Sequence, residues 1–148
     1  MRLSAKGRYA LASTTSMAQT KGGNEYITLI SISEKLGISK IYLEQVFSLL
    51  KHGGIVNSIK GSQGGYQLTR APQQITVYDI LSAVETSLFE HTEETIRDKA
   101  PEIEDAMRHT IYHPLDQLIK TSLQEITLYD LVTEAEKYKG DQGFMFFI

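Results

Sequence analysis

The spacing of apolar residues in the first third of the chain predicts two helices joined by a tight turn. Thr28 is a candidate N-cap, and three apolar residues follow it at helical spacing: Leu29, Ile32 and Leu36. Gly37 follows at once, where helices commonly end in a left-handed residue. Ser39 then caps a second helix, whose stripe follows the i, i+3, i+4, i+7 rule: Leu43, Val46, Phe47 and Leu50. Two helices joined by a short glycine turn make up a helix–turn–helix.

The polar side of the second helix is the candidate recognition surface. If the apolar stripe faces the core, the exposed positions are Lys40, Ile41, Glu44, Gln45 and Ser48. An exposed face at the N-terminal end of such a helix enters the major groove of DNA in helix–turn–helix proteins. A further helix, capped by Ser4 and running to about Gln19, precedes the pair.

The period of the pattern changes after Gly53-Gly54. Residues 55–59 read as a strand, 60–65 as a glycine-rich loop and 66–68 as a second strand, so we expect a β-hairpin wing. The tip of this wing carries Lys60, Ser62 and Gln63 among three glycines, which permit close approach to phosphate or to a groove. A hairpin turn without any ligand is the alternative. The loop lacks the terminal Gly-Lys-Ser/Thr of a nucleotide-binding P-loop.

The second half predicts a long amphipathic helix. Thr76 and Asp79 form a capping-box pattern ahead of a helix, and residues 126–131 repeat residues 75–80 almost letter for letter. Between the two lies an acidic, irregular stretch, followed by a helical stretch at 102–124, here called the arm, in which Pro114 should introduce a kink or a new start. We expect a helix from a second copy of the chain to cover the apolar stripe of the arm. Five residues of this stripe are assigned to dimerisation: Ile111, Leu115, Leu118, Ile119 and Leu123.

These patterns define a mostly α protein with a small β-hairpin wing (α+β). The expected domains are a winged helix–turn–helix DNA-binding domain at 1–85, here called the head, an acidic linker at 86–101, and a dimerisation helix with a C-terminal tail at 102–148.

Composition changes this picture only through charge. The 148 residues carry a formal net charge of −3, which by itself argues weakly against nucleic acid. However, residues 1–70 hold nine basic and three acidic side chains, or +6, and residues 71–148 hold six basic and fifteen acidic ones, or −9. Such asymmetry is typical of a chain whose basic half binds nucleic acid, although basic residues can also simply dress a solvated surface.

Several function classes are disfavoured. The chain has no cysteine, which excludes thiol catalysis, a disulfide scaffold and cysteine-ligated iron–sulfur clusters. It shows no nucleophile–base pairing or cofactor loop, so we expect no enzyme and no catalytic residue. His109 and His113 share the i, i+4 spacing of metal ligands, but without an obvious third ligand we interpret them as surface or interface residues and assign no metal. No apolar run suggests targeting or a membrane span, so a cytoplasmic location is expected.

The last five residues, Phe144-Met145-Phe146-Phe147-Ile148, are here called the tail and are unusually apolar for a chain end. One interpretation is a strand or tail that packs on its own dimer. The other is a peptide presented to a partner protein, which would bind its side chains and its free carboxylate.

The motifs of the head resemble the Rrf2 family of bacterial winged-helix regulators. The opening Met1–Leu11, the helix residues Tyr42-Leu43-Glu44-Gln45 and the wing residues Gly64-Gly65-Tyr66-Gln67-Leu68 occur together and in order. The resemblance is dense over residues 1–85 and thin over 86–148. It implies a homodimeric, sequence-specific regulator that binds double-stranded DNA at a pseudo-palindromic operator, with the third helix in the major groove and the wing in the minor groove.

The resemblance also implies roles for individual residues. The DNA face would include Ser39, Lys40, Tyr42, Glu44 and Gln45 on the third helix, with Ser62 and Gln63 on the wing. Gln45 could pair with an adenine edge and Glu44 with cytosine N4. The phosphate contacts would come from Arg2, Lys6, Arg8, Lys51 and Lys60. Lys60 stands where the family commonly has Arg, and Ile41 where some members have Ser, so the operator preference would differ.

Iron–sulfur sensors of the family carry three cysteines after the fourth helix, and this chain has none, so we expect no cofactor. The tail is similar to that of a cluster-free member that represses cysteine-metabolism genes and partners with the cysteine-synthesis enzyme O-acetylserine (thiol) lyase. This implies a repressor of sulfur metabolism whose tail binds such an enzyme. The alternative is a protein–protein adaptor whose head no longer binds DNA, although the +6 charge of residues 1–70 argues against it.

Overall fold

The computed structural model describes residues 2–20, 25–60 and 64–146, and the side chains as far as residue 140. The helices of the first half are α1 (Ala5–Gln19), α2 (Leu29–Leu36), α3 (Lys40–His52) and α4 (Val77–Val84). Two strands, β1 (Val56–Ile59) and β2 (Gly65–Leu68), lie between α3 and α4, followed by a 3₁₀ turn at Pro72–Gln74. The second half holds α5 (Pro101–Met107), α6 (His113–Gln124) and α7 (Leu128–Phe146). The fold class expected from the sequence, mostly helical with a hairpin wing, is confirmed.

The helices of the head begin where the sequence places their caps. The side chain of each predicted capping residue accepts a backbone N–H three residues on, at 3.2 Å: Ser4 from Gly7, Thr28 from Ser31, and Ser39 from Tyr42. Gly37 ends α2 in the left-handed conformation with φ of 70°. Only three residues, Gly37, Ile38 and Ser39, separate α2 from α3, so the predicted helix–turn–helix is confirmed.

The wing is a short antiparallel hairpin, with Val56 opposite Leu68 and Ile59 opposite Gly65. Each strand begins one residue away from its predicted start: β1 at Val56 instead of residue 55, and β2 at Gly65 instead of residue 66. The structure adds a bridge that the sequence did not predict, in which Ile27 and Tyr66 exchange N–H···O bonds of 2.8 and 2.9 Å. Gly65 is required there, because a Cβ at this position would lie 2.9 Å from the Ile27 carbonyl oxygen.

The core of the head is built from one face of each of its helices. The fully enclosed apolar side chains include Phe47 and Leu43 of α3 and Ile80 of α4. The ring of Phe47 lies 4.9 Å from that of Tyr66, so the wing packs directly on α3. Leu128 is also fully buried in this cluster, which means that the first turn of α7 packs with the head.

The repeated sequence forms two matching capping boxes that meet. Thr76 and Asp79 exchange hydrogen bonds of 3.0 Å, and Thr127 and Asp130 exchange bonds of 2.9 and 3.1 Å. The two segments also pair as an antiparallel bridge: Val77 N–H donates to the Ile126 carbonyl at 2.8 Å, and Leu128 N–H donates to the Ile75 carbonyl at 2.9 Å. The starts of α4 and α7 are thereby fastened together.

The arm is helical throughout, but it contains a π-helical segment at Arg108–Tyr112 that the sequence did not predict. His113 N–H donates to the Arg108 carbonyl, five residues earlier, as a π turn requires. Pro114 has no N–H, and its ring crowds the carbonyl four residues before it, so widening of the preceding turn relieves the clash. The expected disturbance at Pro114 is therefore confirmed and takes this form.

The backbone of α7 continues to Phe146, so Phe144–Phe146 are helical rather than an extended strand. The side chains of the tail lie outside the described residues. Within the described part of the chain, no helix is both long and apolar enough to cross a membrane.

Candidate nucleic-acid interface

Helix α3 presents a polar face with one apolar residue near its start. Lys40, Ile41, Glu44, Gln45 and Ser48 are all exposed, as predicted from the buried stripe on the opposite side. The last four of these stand at i, i+3, i+4 and i+7 positions and therefore form one continuous stripe along the helix.

The start of α3 is held rigidly by the turn before it. The Ser33 hydroxyl donates to the Ile38 carbonyl at 2.6 Å, and Gly37 N–H donates to the Ser33 carbonyl at 2.8 Å. The exposed Ser39 accepts from Tyr42 N–H as the cap. A helix N-terminus fixed in this way can present its first side chains to a groove without local disorder.

Tyr42 is half-buried and has a packing role as well as an exposed edge. Its ring meets that of Tyr9 edge to face, with 4.9 Å between the centroids and 85° between the planes. This contact joins α3 to α1 and sets the position of the basic end of α1 beside the recognition face.

The N-terminus of α1 is anchored by a contact that the sequence did not predict. The Glu85 carboxylate accepts from the Ser4 backbone N–H at 2.9 Å and from its hydroxyl at 2.8 Å. Gly7 leaves room for this contact, because a Cβ there would overlap the Glu85 carboxylate and displace it from Ser4. Ser4 and Glu85 are 81 positions apart in the sequence, so no local sequence pattern reveals their pairing.

The basic residues of α1 lie at the edge of the α3 face. Lys6 lines one shallow surface depression together with Ile41, Glu44, Gln45, Ser48 and Leu49. Arg2 and Arg8 are exposed nearby in sequence, and an Arg8 guanidinium N–H donates to the Leu3 carbonyl at 2.7 Å. The structure thus brings Lys6 to the predicted base-reading residues.

The remaining predicted contacts are more distant or lie outside the described residues. Lys51 is exposed in the last turn of α3, roughly 15 Å along the helix axis from Ile41. Lys60 is exposed at the end of β1, where the wing loop begins. Ser62 and Gln63 lie outside the described residues.

The charge on α3 is partly compensated within the helix. Lys40 Nζ lies 3.7 Å from Glu44 Oε1, and both side chains are about half exposed. Pairs of this kind contribute about 0.3–0.5 kcal/mol and break readily. Glu44 therefore remains free to accept from a base, while Lys40 can turn to a phosphate.

The segment between the head and the arm is held by carboxylates and arginines. The buried Glu104 accepts from the backbone N–H groups of Ile96, at 3.0 Å, and Thr95, and these bonds lower the pKa of its carboxyl. Arg97 bridges Glu94 at 3.2 Å and Asp105 at 2.8 Å, and its hydrogen bonds to Glu94 and then Asp105 raise its pKa.

These side chains do not fit an iron–sulfur cluster. The sequence supplies no thiolate, and the described residues contain no group of three or more histidine or acidic side chains arranged around one metal position. His109 Nδ1 lies 2.9 Å from the Asp105 carbonyl oxygen, a bond within its own helix.

The arm leaves apolar side chains in solvent. Ile111 and Leu115 are each 53% exposed and Leu118 is 68% exposed, whereas Ile119 and Leu123 are half-buried. Ile119 lines a cavity of about 260 Å³ with Tyr78 and Phe89 of the same chain. The first three residues thus form the free part of the predicted dimerisation stripe.

A helix–turn–helix with a hairpin wing, a basic edge and a polar outward face on its second helix defines a DNA-binding regulator of the winged-helix class. The sequence profile of the Rrf2 family, described as an iron-dependent transcriptional regulator, matches residues 3–134. The transcriptional regulator IscR of Pectobacterium carotovorum is 37% identical over 136 residues, which are 92% of this chain and 82% of that protein. The chain belongs to the Rrf2 family of transcriptional regulators, and these relatives are regulators rather than enzymes.

Solved structures agree with this assignment. CymR, the global cysteine regulator of B. subtilis, is similar with a TM-score of 0.71 and 33% identity, covering 90% of this chain and 98% of that one. IscR of T. potens is similar with a TM-score of 0.72 and 32% identity, covering 99% and 96%. Because the two identities are nearly equal, overall similarity does not single out the cysteine regulator.

Proposed function

We propose that this chain is a dimeric, sequence-specific DNA-binding repressor that acts without an iron–sulfur cluster. The observation that carries the proposal is the polar outward face of α3 beside Lys6, in a stretch, residues 1–70, of formal charge +6. A positively charged head attracts the phosphate backbone of any sequence, while a groove-sized face of hydrogen-bonding side chains discriminates between sequences.

In this proposal α3 enters the major groove from its N-terminal end. Gln45 donates to and accepts from an adenine edge, and Glu44 accepts from cytosine N4. Arg2, Lys6, Arg8, Lys51 and Lys60 neutralise phosphates, and the wing, with Ser62 and Gln63 at its tip, follows the minor groove. Ser39, Lys40 and Tyr42 complete the contact surface at the start of α3.

The exposed part of the arm, formed by Ile111, Leu115 and Leu118, would be covered by the same surface of a second copy. A two-fold dimer places two heads on one side of the duplex with half-sites about 34 Å apart, which corresponds to a pseudo-palindromic operator. The arm lies in the acidic half of the chain, and this half would be repelled by DNA, so dimerisation and DNA contact would use separate surfaces.

Salt dependence of binding tests the DNA contact. The full chain is mixed with a fragment of its own promoter region at increasing salt. Affinity should fall on the order of 10³-fold between 50 and 200 mM, because several phosphate contacts release counterions. Affinity that is insensitive to salt, or absent, would support the adaptor alternative.

Two substitutions separate backbone contact from base reading. Lys60→Ala should weaken binding to all sequences and reduce the salt slope by about one, whereas Gln45→Ala should relax the preference at one base pair per half-site. Lys139→Ala, which removes the same charge from the exposed surface of α7, is the control for net charge. Unchanged sequence preference in Gln45→Ala would show that another face reads DNA.

The cellular role is proposed from similarity. CymR is a cysteine regulator, and its likeness to this chain supports a cytoplasmic repressor of sulfur or cysteine metabolism. The tail would bind a cysteine-synthesis enzyme such as O-acetylserine (thiol) lyase through the Ile148 carboxylate. Calorimetry with that enzyme should give a signal for the full chain and none for a chain that lacks residues 144–148, and equal binding by both would refute the tail contact.

A further inference from the structure

Ile41 is the most exposed large apolar side chain in the part of the chain whose side chains are described. It is 73% exposed, more than Leu118 at 68% or any other large apolar residue of that part. It stands at the second position of α3, whereas the apolar stripe of the same helix is fully buried on the opposite side. Packing within the described chain therefore does not explain why an isoleucine occupies this position.

The surroundings of Ile41 are polar. It shares its depression with Lys6, Glu44, Gln45 and Ser48, and only Leu49 adds apolar surface there. One isoleucine among hydrogen-bonding groups is too small a patch for a protein interface, which buries about 800 Å² on each partner. It matches the major groove instead, where a single thymine methyl group stands among hydrogen-bond donors and acceptors.

We propose that Ile41 determines part of the sequence specificity by packing on the C5-methyl group of a thymine. This inference rests on the proposed function, because it requires α3 to lie in the major groove. Residues 41 and 45 are four apart on one face, or about 6 Å along the helix axis. With base pairs about 3.4 Å apart, the thymine would lie within roughly two base pairs of the base that Gln45 reads.

Replacing thymine by deoxyuridine removes this methyl group and leaves base pairing intact, which makes the contact testable atom by atom. The wild-type full chain first selects its preferred duplex from a random pool. Each symmetry-related pair of thymines in that duplex is then replaced by deoxyuridine, and affinities are measured for wild type, Ile41→Val, Ile41→Ser and Ile30→Ser. Ile30, which is 54% exposed on α2, is the matched control for loss of an exposed isoleucine.

At one thymine position, the wild type should lose about fourfold in affinity for each methyl group removed, as expected for one buried methyl group. Ile41→Val, which keeps a branched apolar side chain, should retain most of this discrimination, and Ile30→Ser should retain all of it. Ile41→Ser should bind the thymine and deoxyuridine duplexes equally.

Two outcomes would overturn the proposal while leaving DNA binding established. In the first, wild type binds the selected duplex but no thymine-to-deoxyuridine change affects its affinity. In the second, replacing thymine by deoxyuridine lowers the affinity of Ile41→Ser as much as that of wild type at every thymine position. Failure of the wild type to select any duplex would instead refute the proposed function itself.

Discussion

Helix α3 and the arm are both amphipathic, yet they treat their apolar faces in opposite ways. In α3 the apolar stripe is fully enclosed by the same chain, and the opposite face, which carries Ile41 among polar residues, is exposed. In the arm, Ile111, Leu115 and Leu118 remain 53–68% exposed within the described single chain. The core of the head is therefore completed within the single chain, with Leu128 of α7, whereas the arm has apolar surface left for another molecule to cover.

The same contrast appears in charge. The basic residues lie mainly in the half of the chain that contains α3, and the acidic ones in the half that contains the arm. A surface that must meet phosphate cannot also be acidic, and a dimer surface need not be basic. We therefore expect the two faces to serve two different partners, and substitutions at matched positions can test each face separately.

The largest effect is expected in the core of the head. Phe47→Ala should lower the free energy of unfolding by about 3–5 kcal/mol, since it removes a fully buried ring and leaves a cavity against Tyr66. Chemical denaturation measures the loss. A change below about 1 kcal/mol would mean that the head is not packed as described.

A smaller effect, confined to association, is expected at the arm. Leu115→Asp should weaken dimerisation by about tenfold to a hundredfold, because it places a charge in an apolar contact. Ile30→Asp is the matched control, since Ile30 is 54% exposed on α2 and Leu115 is 53% exposed on α6. Sedimentation at several concentrations should show dissociation only for Leu115→Asp, and equal effects of both changes would contradict the division between head and arm.

The smallest and most local effect concerns Glu104. Its pKa is lowered by the N–H donors of Ile96 and then Thr95, so its stabilising contribution is complete above the ordinary glutamate pKa and is lost as pH falls through the lowered one. The protection factors of these two amides, which compare their exchange with the intrinsic rate at the same pH, should fall in that acidic window while the Leu43 amide of α3 stays protected. Simultaneous loss of protection at all three sites would show global unfolding instead.

The sequence predicted the elements that local patterns encode. The caps at Ser4, Thr28 and Ser39, the left-handed Gly37 and the exposed face of α3 were all predicted because each depends on residues within one or two turns. The family was predicted correctly because its motifs occur in order across the head.

The sequence missed contacts between distant segments. Three such contacts are the hydrogen bonds between Ser4 and Glu85, the Ile27–Tyr66 bridge and the pairing of the two capping boxes. Each joins residues that are far apart in the sequence, and no local periodicity of apolar and polar residues predicts such a contact. The π segment was missed for another reason: Pro114 shows that the regular hydrogen bonding must fail, but the way in which it fails depends on the surrounding packing.

The bridge between Thr76 and Thr127 has a consequence for how such chains can diversify. Because it holds the starts of α4 and α7 side by side, everything between the end of α4 and Ile126 leaves the head and returns to nearly the same place. This segment therefore has two ends that are fixed next to each other in the head. A segment of different length or chemistry can replace it at little entropic cost, since the entropy cost of closing a loop grows only slowly with its length. The head can thus stay constant while the segment between α4 and α7 varies.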